Sequence, residues 1–315
     1  VMIQLIGSLS EIGAGTRGSS LGLQAMQLAS LSTNPQFFKD QHIEMVREDN
    51  AIMHRENPAL HGKYIVAIAD MYDRISSHVK QVMSAGDTPF LISGDHSNAG
   101  GSIAGIHQAF PNKTLGVVWI DAHTDLHSPY TSPSGNVHGM PLATAIADDN
   151  LASATNQPSE AVVAAWERMK GPSQRLQTKH LAFVGVRSTE VPEDNLLKKY
   201  SIPNHTVASL RQEGVAAIVN HIKIQMQHCD HVYVSFDVDS MDPSVSCGTG
   251  TPVEGGLRLE EASDLLQMLA SWDKVSCMEF TEINPLLDMK GNAMGEAAFA
   301  LLDQTVETLA DRSHV

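Results

Sequence analysis

The chain has 315 residues and a formal net charge of −15, with 21 Lys and Arg against 36 Asp and Glu. That length suits one large α/β domain or two modest ones, and so large an acidic surplus repels a phosphate backbone or an anionic bilayer instead of neutralising it. No apolar run approaches the roughly 20 residues that span a membrane, so neither nucleic acid nor membrane is an expected partner.

In chain order, Met2–Ile6 reads as a strand and is followed by an aperiodic, Gly-rich stretch, Ser10–Gly22. A helical period runs over Ala67–Ala85, then a strand over Pro89–Ile92, a helix over Ser102–Gln108 and a strand over Leu115–Ile120. After the aperiodic stretches His127–Met140 and Ala147–Pro158 come a helix at Ser159–Lys170, a strand at Leu181–Val186 and one long helix at Val207–Gln227. The strand Val232–Phe236, the loop Ser240–Gly256, the helix Leu259–Ser271, the strand Cys277–Ile283 and the helix Ala293–Asp311 complete the pattern. Strands rich in Val, Ile and Leu alternating with helices predict an α/β fold of three layers, a mostly parallel sheet covered on both faces. No repeat or Pro/Gly/Ser linker divides the chain, so one domain over 1–315 is expected. Cys229, Cys247 and Cys277 form no CxxC pair, and Val1–Leu9 carries no basic segment leading into a long apolar core. A cytoplasmic location is expected.

Three strand ends carry metal-type ligands: Gly94-Asp95-His96-Ser97, Asp121-Ala122-His123-Thr124-Asp125 and Asp237-Val238-Asp239. In an extended segment residues i, i+2 and i+4 project to one side, so each set is expected to converge. Four carboxylates and two imidazoles without a thiolate favour Mn²⁺, with Fe²⁺ or Co²⁺ as alternatives, over a structural Zn²⁺. Two ions about 3.5–4 Å apart polarise a bridging water to hydroxide, which implies hydrolysis.

These motifs, with Ser134-Gly135-Asn136-Val137-His138-Gly139, Gly250-Thr251-Pro252 and Glu282-Ile283-Asn284-Pro285, resemble the ureohydrolase superfamily in order and spacing. The loop Ser-Gly-Asn-Val-His-Gly-Met-Pro is similar to that of the arginases within it. The resemblance implies an arginase-like fold in which His96, Asp121, Asp125 and Asp237 hold one Mn²⁺ and His123, Asp121, Asp237 and Asp239 the other. It implies that His138 is the acid–base group, that Glu282 pairs with the substrate guanidinium, and that Asp125 counts with them as catalytic. Thr251 would line the guanidinium pocket, and Ser134 and Asn136 would bind an α-carboxylate. The implied reaction is hydrolysis of L-arginine to L-ornithine and urea, and the implied assembly a homo-oligomer, trimer or hexamer.

Two positions depart from the arginase pattern: His127 stands where arginases usually have Asn, and Glu190 where they usually have Asp near the α-amino group. Both are expected substrate contacts, and they leave guanidinobutyrate, agmatine or formimidoylglutamate as alternative substrates. Gly13-Ala14-Gly15-Thr16-Arg17-Gly18 matches GxGxxG, but it does not follow its strand directly and no ribose-binding acid follows a second strand. It is expected to be a loop near the site. A deacetylase, which shares the arginase-like fold, would bind one Zn²⁺ with fewer carboxylates than stand here.

Overall fold

The computed structural model describes residues 2–56 and 58–312, so the ends of the expected 1–315 domain lie outside the described residues. Eight strands form one sheet: β1 Ile3–Ser8, β2 Ile43–Met45, β3 Thr88–Ser93, β4 Leu115–Ile120, β5 Leu181–Val184, β6 Asn204–His205, β7 His231–Asp237 and β8 Val275–Thr281. Their spatial order is β2-β1-β3-β8-β7-β4-β5-β6 and every pairing is parallel. Parallel neighbours need crossovers, and the intervening helices supply them on both faces. Along β4, Val118 and Ile120 join the apolar cluster on one face, while Val117 and Trp119 join the cluster on the other. The fold is the three-layer α/β arrangement expected from the alternation of elements.

Where the structure departs from the sequence reading, long-range packing is the cause. The helix expected from Ser102 begins at Asn98, because Gly100, Gly101 and Gly105 lie against the helix Ile65–Ser84. A Cβ at Gly100 would stand 1.9 Å from the Tyr72 hydroxyl, so helix contact selects residues that local propensity disfavours. The expected helix Val207–Gln227 is two, Val207–Glu213 and Val215–Gln225, broken at Gly214 with φ 90°. Helices Gly22–Thr33, Pro141–Ile146 and Val191–Tyr200 and the short strands β2 and β6 were not expected. The first helix has no polar face to mark its period, and β2 and β6 sit at the sheet edges with too few residues to show alternation.

The order β3-β8-β7-β4 makes the four central strands immediate neighbours. Every metal-type motif leaves the carboxyl end of one of these four, where the crevice of an open parallel sheet lies.

Candidate metal centre and catalytic cleft

His96 follows β3, Asp121 follows β4, Asp237 closes β7 and Glu282 follows β8. Two groups of potential ligands form among the described residues: His96, Asp121 and Asp237, and Asp121, His123 and Asp239. Asp121 belongs to both, with Oδ2 3.1 Å from His96 Nδ1 and Oδ1 3.4 Å from His123 Nδ1. Asp125 Oδ2 lies 3.0 Å and Asp237 Oδ2 3.2 Å from the same His96 nitrogen, and Asp239 Oδ2 lies 3.1 Å from His123 Nδ1. All six expected ligands therefore meet. Strand alternation is not what brings them together, which corrects the expectation of an extended segment. Residues 121–123 form a bend, Asp125 has φ 51°, and Asp239 sits in the turn Val238–Ser240.

Other groups hold these carboxylates in place. Trp119 Nε1 donates to Asp121 Oδ2 at 2.9 Å and its ring stacks on His96 with centroids 4.1 Å apart. Asp237 Oδ1 accepts from Asp239 N at 2.8 Å, and Arg187 ties down the following loop by donating to Asp239 O, Val253 O and Glu254 O.

The donor set fits divalent cations. His96 Nδ1 is buried, and although three carboxylate oxygens stand near it, none makes a hydrogen bond. Electron-pair donors facing one another in this way repel unless a cation stands between them. The protonation equilibria carry the same strain. Burial, then the Asp121 charge, pushes Asp125 up to about 7, and burial with Asp239 and Asp121 holds Asp237 well above the carboxylate range. For His123, burial acts downward but Asp239 and Asp121 outweigh it and raise the imidazole to about 12.

Glu282, with φ 65°, shares with Asp125 a backbone conformation that costs a non-glycine residue about 1–3 kcal/mol. Its Oε1 accepts from His96 N at 2.9 Å and lies 3.2 Å from His138 Nδ1. Burial lowers the His138 pKa, but the Glu282 contact more than restores it, to about 9. Thr251 Oγ1 donates to Asp239 Oδ2 at 3.0 Å. The Gly-rich loop packs against the same groups: Gly13 N donates to Asp95 Oδ2, His138 N donates to Gly13 O, and a Cβ at Gly13 would come within 2.7 Å of Asp95.

A cleft of about 250 Å³ joins the cluster to an outer end lined by His127, Ser134, Asn136, Ser188, Glu190 and Glu193. His127 Nε2 is 3.3 Å from Glu190 Oε2 and 3.6 Å from Glu193 Oε2. The Ser134 hydroxyl accepts from Asn136 N, and Asn136 Oδ1 accepts from Lys63 Nζ at 3.0 Å. A larger cavity of about 420 Å³ includes Asp87, Asp230, Lys274 and Arg312, and it contains neither ligand group. Chemistry locates the site better than size does.

Sequence reasoning passed over Asp95, Lys63 and Glu193. Burial, then Glu282, lifts Asp95 to about 6; its place in the motif Gly-Asp-His-Ser was the available signal. Lys63 and Glu193 carry no local signal, because each reaches the cleft only through tertiary contact.

The family model described as "Arginase family" matches residues 2–306. The chain belongs to the arginase family. The arginase of Bacillus caldovelox is 30% identical over 303 residues, covering 95% of this chain and 96% of that protein. The arginase of Bacillus subtilis is 29% identical, covering 96% of each. The solved Bacillus caldovelox arginase superposes with a TM-score of 0.82 at 30% identity, over 97% of this chain and 98% of that one. The arginase-like fold follows, and with it a ureohydrolase-type metallohydrolase acting on a guanidino C–N bond of a small molecule. No helix among the described residues is long and apolar enough to cross a membrane.

Proposed function

We propose that this protein hydrolyses L-arginine to L-ornithine and urea with two Mn²⁺ per chain, Fe²⁺ or Co²⁺ being the alternatives the donor set admits. The observation that carries the reading is the convergence of two imidazoles and four carboxylates on two groups sharing Asp121. His96, Asp121, Asp125 and Asp237 would hold one ion, and His123, Asp121, Asp237 and Asp239 the other. When bound, the pair supplies the acidity that lets a water attack at neutral pH and offsets the negative charge that then develops.

The chain's own groups do the rest. Glu282 spends Oε1 on His96 N and His138, and its second oxygen receives the guanidinium, whose planar fork matches a carboxylate. Thr251, held on Asp239, borders the guanidinium. His138 keeps its proton across neutral pH and passes it to the departing amine nitrogen, which leaves as the neutral amine before solvent protonates it. Ser134 and Asn136 bind the carboxylate of the amino-acid head, and Glu190 with His127 receives its ammonium. Positioning at both ends lowers the entropic part of the barrier.

A second reading rests on the contact between His127 and Glu190. It already places an imidazole edge 3.3 Å from the acidic outer wall, which favours a guanidine lacking an α-ammonium, such as 4-guanidinobutyrate. Urea release from Mn²⁺-loaded protein with L-arginine, agmatine and 4-guanidinobutyrate, and formamide release with formimidoylglutamate, with ions counted on the same sample, separates the two. Highest kcat/KM on L-arginine supports the first reading. Preference for 4-guanidinobutyrate moves the assignment to the second, and no urea despite two bound ions overturns both. Cys229, Cys247 and Cys277 are unpaired thiols, which suits a cytoplasmic enzyme. A homo-oligomer, trimer or hexamer, has exposed apolar side chains to bury in Leu21, Leu28, Leu286 and Met289.

A further inference from the structure

The outer end of the cleft holds a cation to which the proposed reaction gives no part. Lys63 stands in the segment that leads into the helix Ile65–Ser84 and is half-buried. Lys113, Lys170 and Lys199 are paired with Asp230, Asp149 and Asp148, but no carboxylate lies within ion-pair distance of Lys63 among the described residues. In a chain with 36 acidic residues, a half-buried lysine without an acid is out of character. Its ammonium instead donates to Asn136 Oδ1 at 3.0 Å.

Two backbone approaches fix that geometry. Lys63 N donates to Gly135 O at 2.8 Å, and Gly135, with φ 70°, lies so close to the same segment that a Cβ there would come within 2.2 Å of Leu60 O. The loop that carries Ser134 and Asn136 is therefore seated on residues 60–63, and Lys63 stands behind Asn136, which lines the cleft. An ammonium is a donor only, so the branch of the Asn136 amide that faces it must be the oxygen. The other branch, Nδ2, donates to no group among the described residues and lies over the bare Cα of Gly15, where a Cβ would stand 2.7 Å away. Asn136 thus offers a free donor with a positive charge behind it, which suits a carboxylate, whereas a flipped amide would offer an acceptor and repel it. Glu190 and Glu193 line the same cleft, so without such a charge its outer end would repel a carboxylate.

We propose that Lys63 is a positioning residue that sets the substrate class: it locks the Asn136 amide with Nδ2 free for the substrate and supplies the charge by which the cleft takes guanidines bearing a carboxylate and disfavours those without one. This rests on the reading of the site as one for guanidine hydrolysis. It holds for either substrate reading, because L-arginine and 4-guanidinobutyrate both carry a carboxylate and agmatine carries none. The scissile bond lies at the other end of the cleft, so the contribution of Lys63 is the same in the ground state and the transition state and belongs in KM.

Steady-state urea release by the Mn²⁺-loaded full chain tests this in Lys63→Met, which keeps the stem but removes the charge and the donor, and in Lys63→Arg, which keeps both. Lys113→Met is the control for a lost positive charge, because Lys113 lies outside the cleft. The substrates are L-arginine, 4-guanidinobutyrate and agmatine; if agmatine is turned over too slowly to assay, its inhibition constant against the better substrate replaces its KM. In Lys63→Met, KM for the two carboxylate substrates is expected to rise about tenfold with kcat nearly constant, while the agmatine value is unchanged or lower. Lys63→Arg is expected to recover most of the loss, and Lys113→Met to match wild type. An unchanged KM for both carboxylate substrates in Lys63→Met overturns the proposal. So does an equal loss on agmatine, or a fall in kcat shared by all three, which is the mark of a merely structural residue. Urea from none of the three with wild type removes the guanidine reading on which the proposal stands, an outcome separate from these.

Discussion

The inner and outer ends of the cleft are built differently. At the inner end four groups are fixed by the sheet: His96, Asp121, Asp237 and Glu282 follow or close four adjacent strands and are almost wholly buried. At the outer end the groups come from connections: His127, Ser134 and Asn136 from one loop, Glu190 from the start of a helix and Lys63 from the residues before another. The Glu190 side chain is 54% exposed, whereas that of Asp121 is fully buried. Strand ends leave little room for side-chain replacement, and loops leave much. The proposed function accordingly puts the reaction at one end and the choice of substrate at the other.

Substitutions at the two ends should separate these contributions. The largest effect belongs to Asp237→Ala. Loss of an ion and of activity beyond the roughly 100-fold ceiling of an outer-shell change is expected, and metal analysis with urea assay checks it. A variant that retained both ions would remove Asp237 from the ligand set. His138→Asn comes next: two ions retained, kcat lowered about 10²–10⁴-fold. In the wild type kcat is expected to fall as pH rises through about 9, where His138 gives up its proton. A profile unchanged in His138→Asn would leave the proton transfer to another group.

At the outer end the effects are smaller and concern selection. His127→Asn frees Glu190 and Glu193 from their imidazole neighbour. The ratio of kcat/KM for L-arginine over 4-guanidinobutyrate is expected to rise about tenfold, worth about 1.4 kcal/mol, with kcat on arginine nearly constant. An equal change on both substrates would mean that His127 shapes the cleft without reading the amino-acid head.

The smallest effect is on stability, and its sign is opposite to the effect on function. Burial and Asp121 raise Asp125 to about 7, so its ionisation costs the metal-free fold stability. The cost is absent below the ordinary value of 3.8, grows as pH rises and is complete above about 7. Asp125→Asn should accordingly stabilise the metal-free protein by about 0.5–2 kcal/mol at pH 8, and weaken ion binding. Denaturant unfolding at pH 4 and pH 8 checks both the gain and its disappearance in acid.

Much of the inner end is legible in the amino-acid sequence. Asp121, His123 and Asp125, with Asp237 and Asp239, stand close together in the chain right after apolar strands, so a local pattern reveals them. Only the expected cause is at fault, since bends and a left-handed Asp125 aim the side chains where strand alternation was expected to. The outer end is legible in part, through His127 and Glu190. Lys63 stands 73 residues from the Asn136 it bonds, and no spacing rule reaches that far. Glu193 is hidden in a helix whose Pro192 and charged residues obscure its period.

By itself the sequence determined the layer architecture, the strands that carry the candidate ligands, their residue types and hence the class of chemistry. These depend on short-range periodicity and on residue identity, both of which are read along the chain. Only the tertiary structure decided that β3, β8, β7 and β4 lie side by side, and that glycines replace larger residues where two helices touch. Each of these depends on which distant segments share a surface, and a linear pattern does not encode that choice until packing has been satisfied everywhere at once.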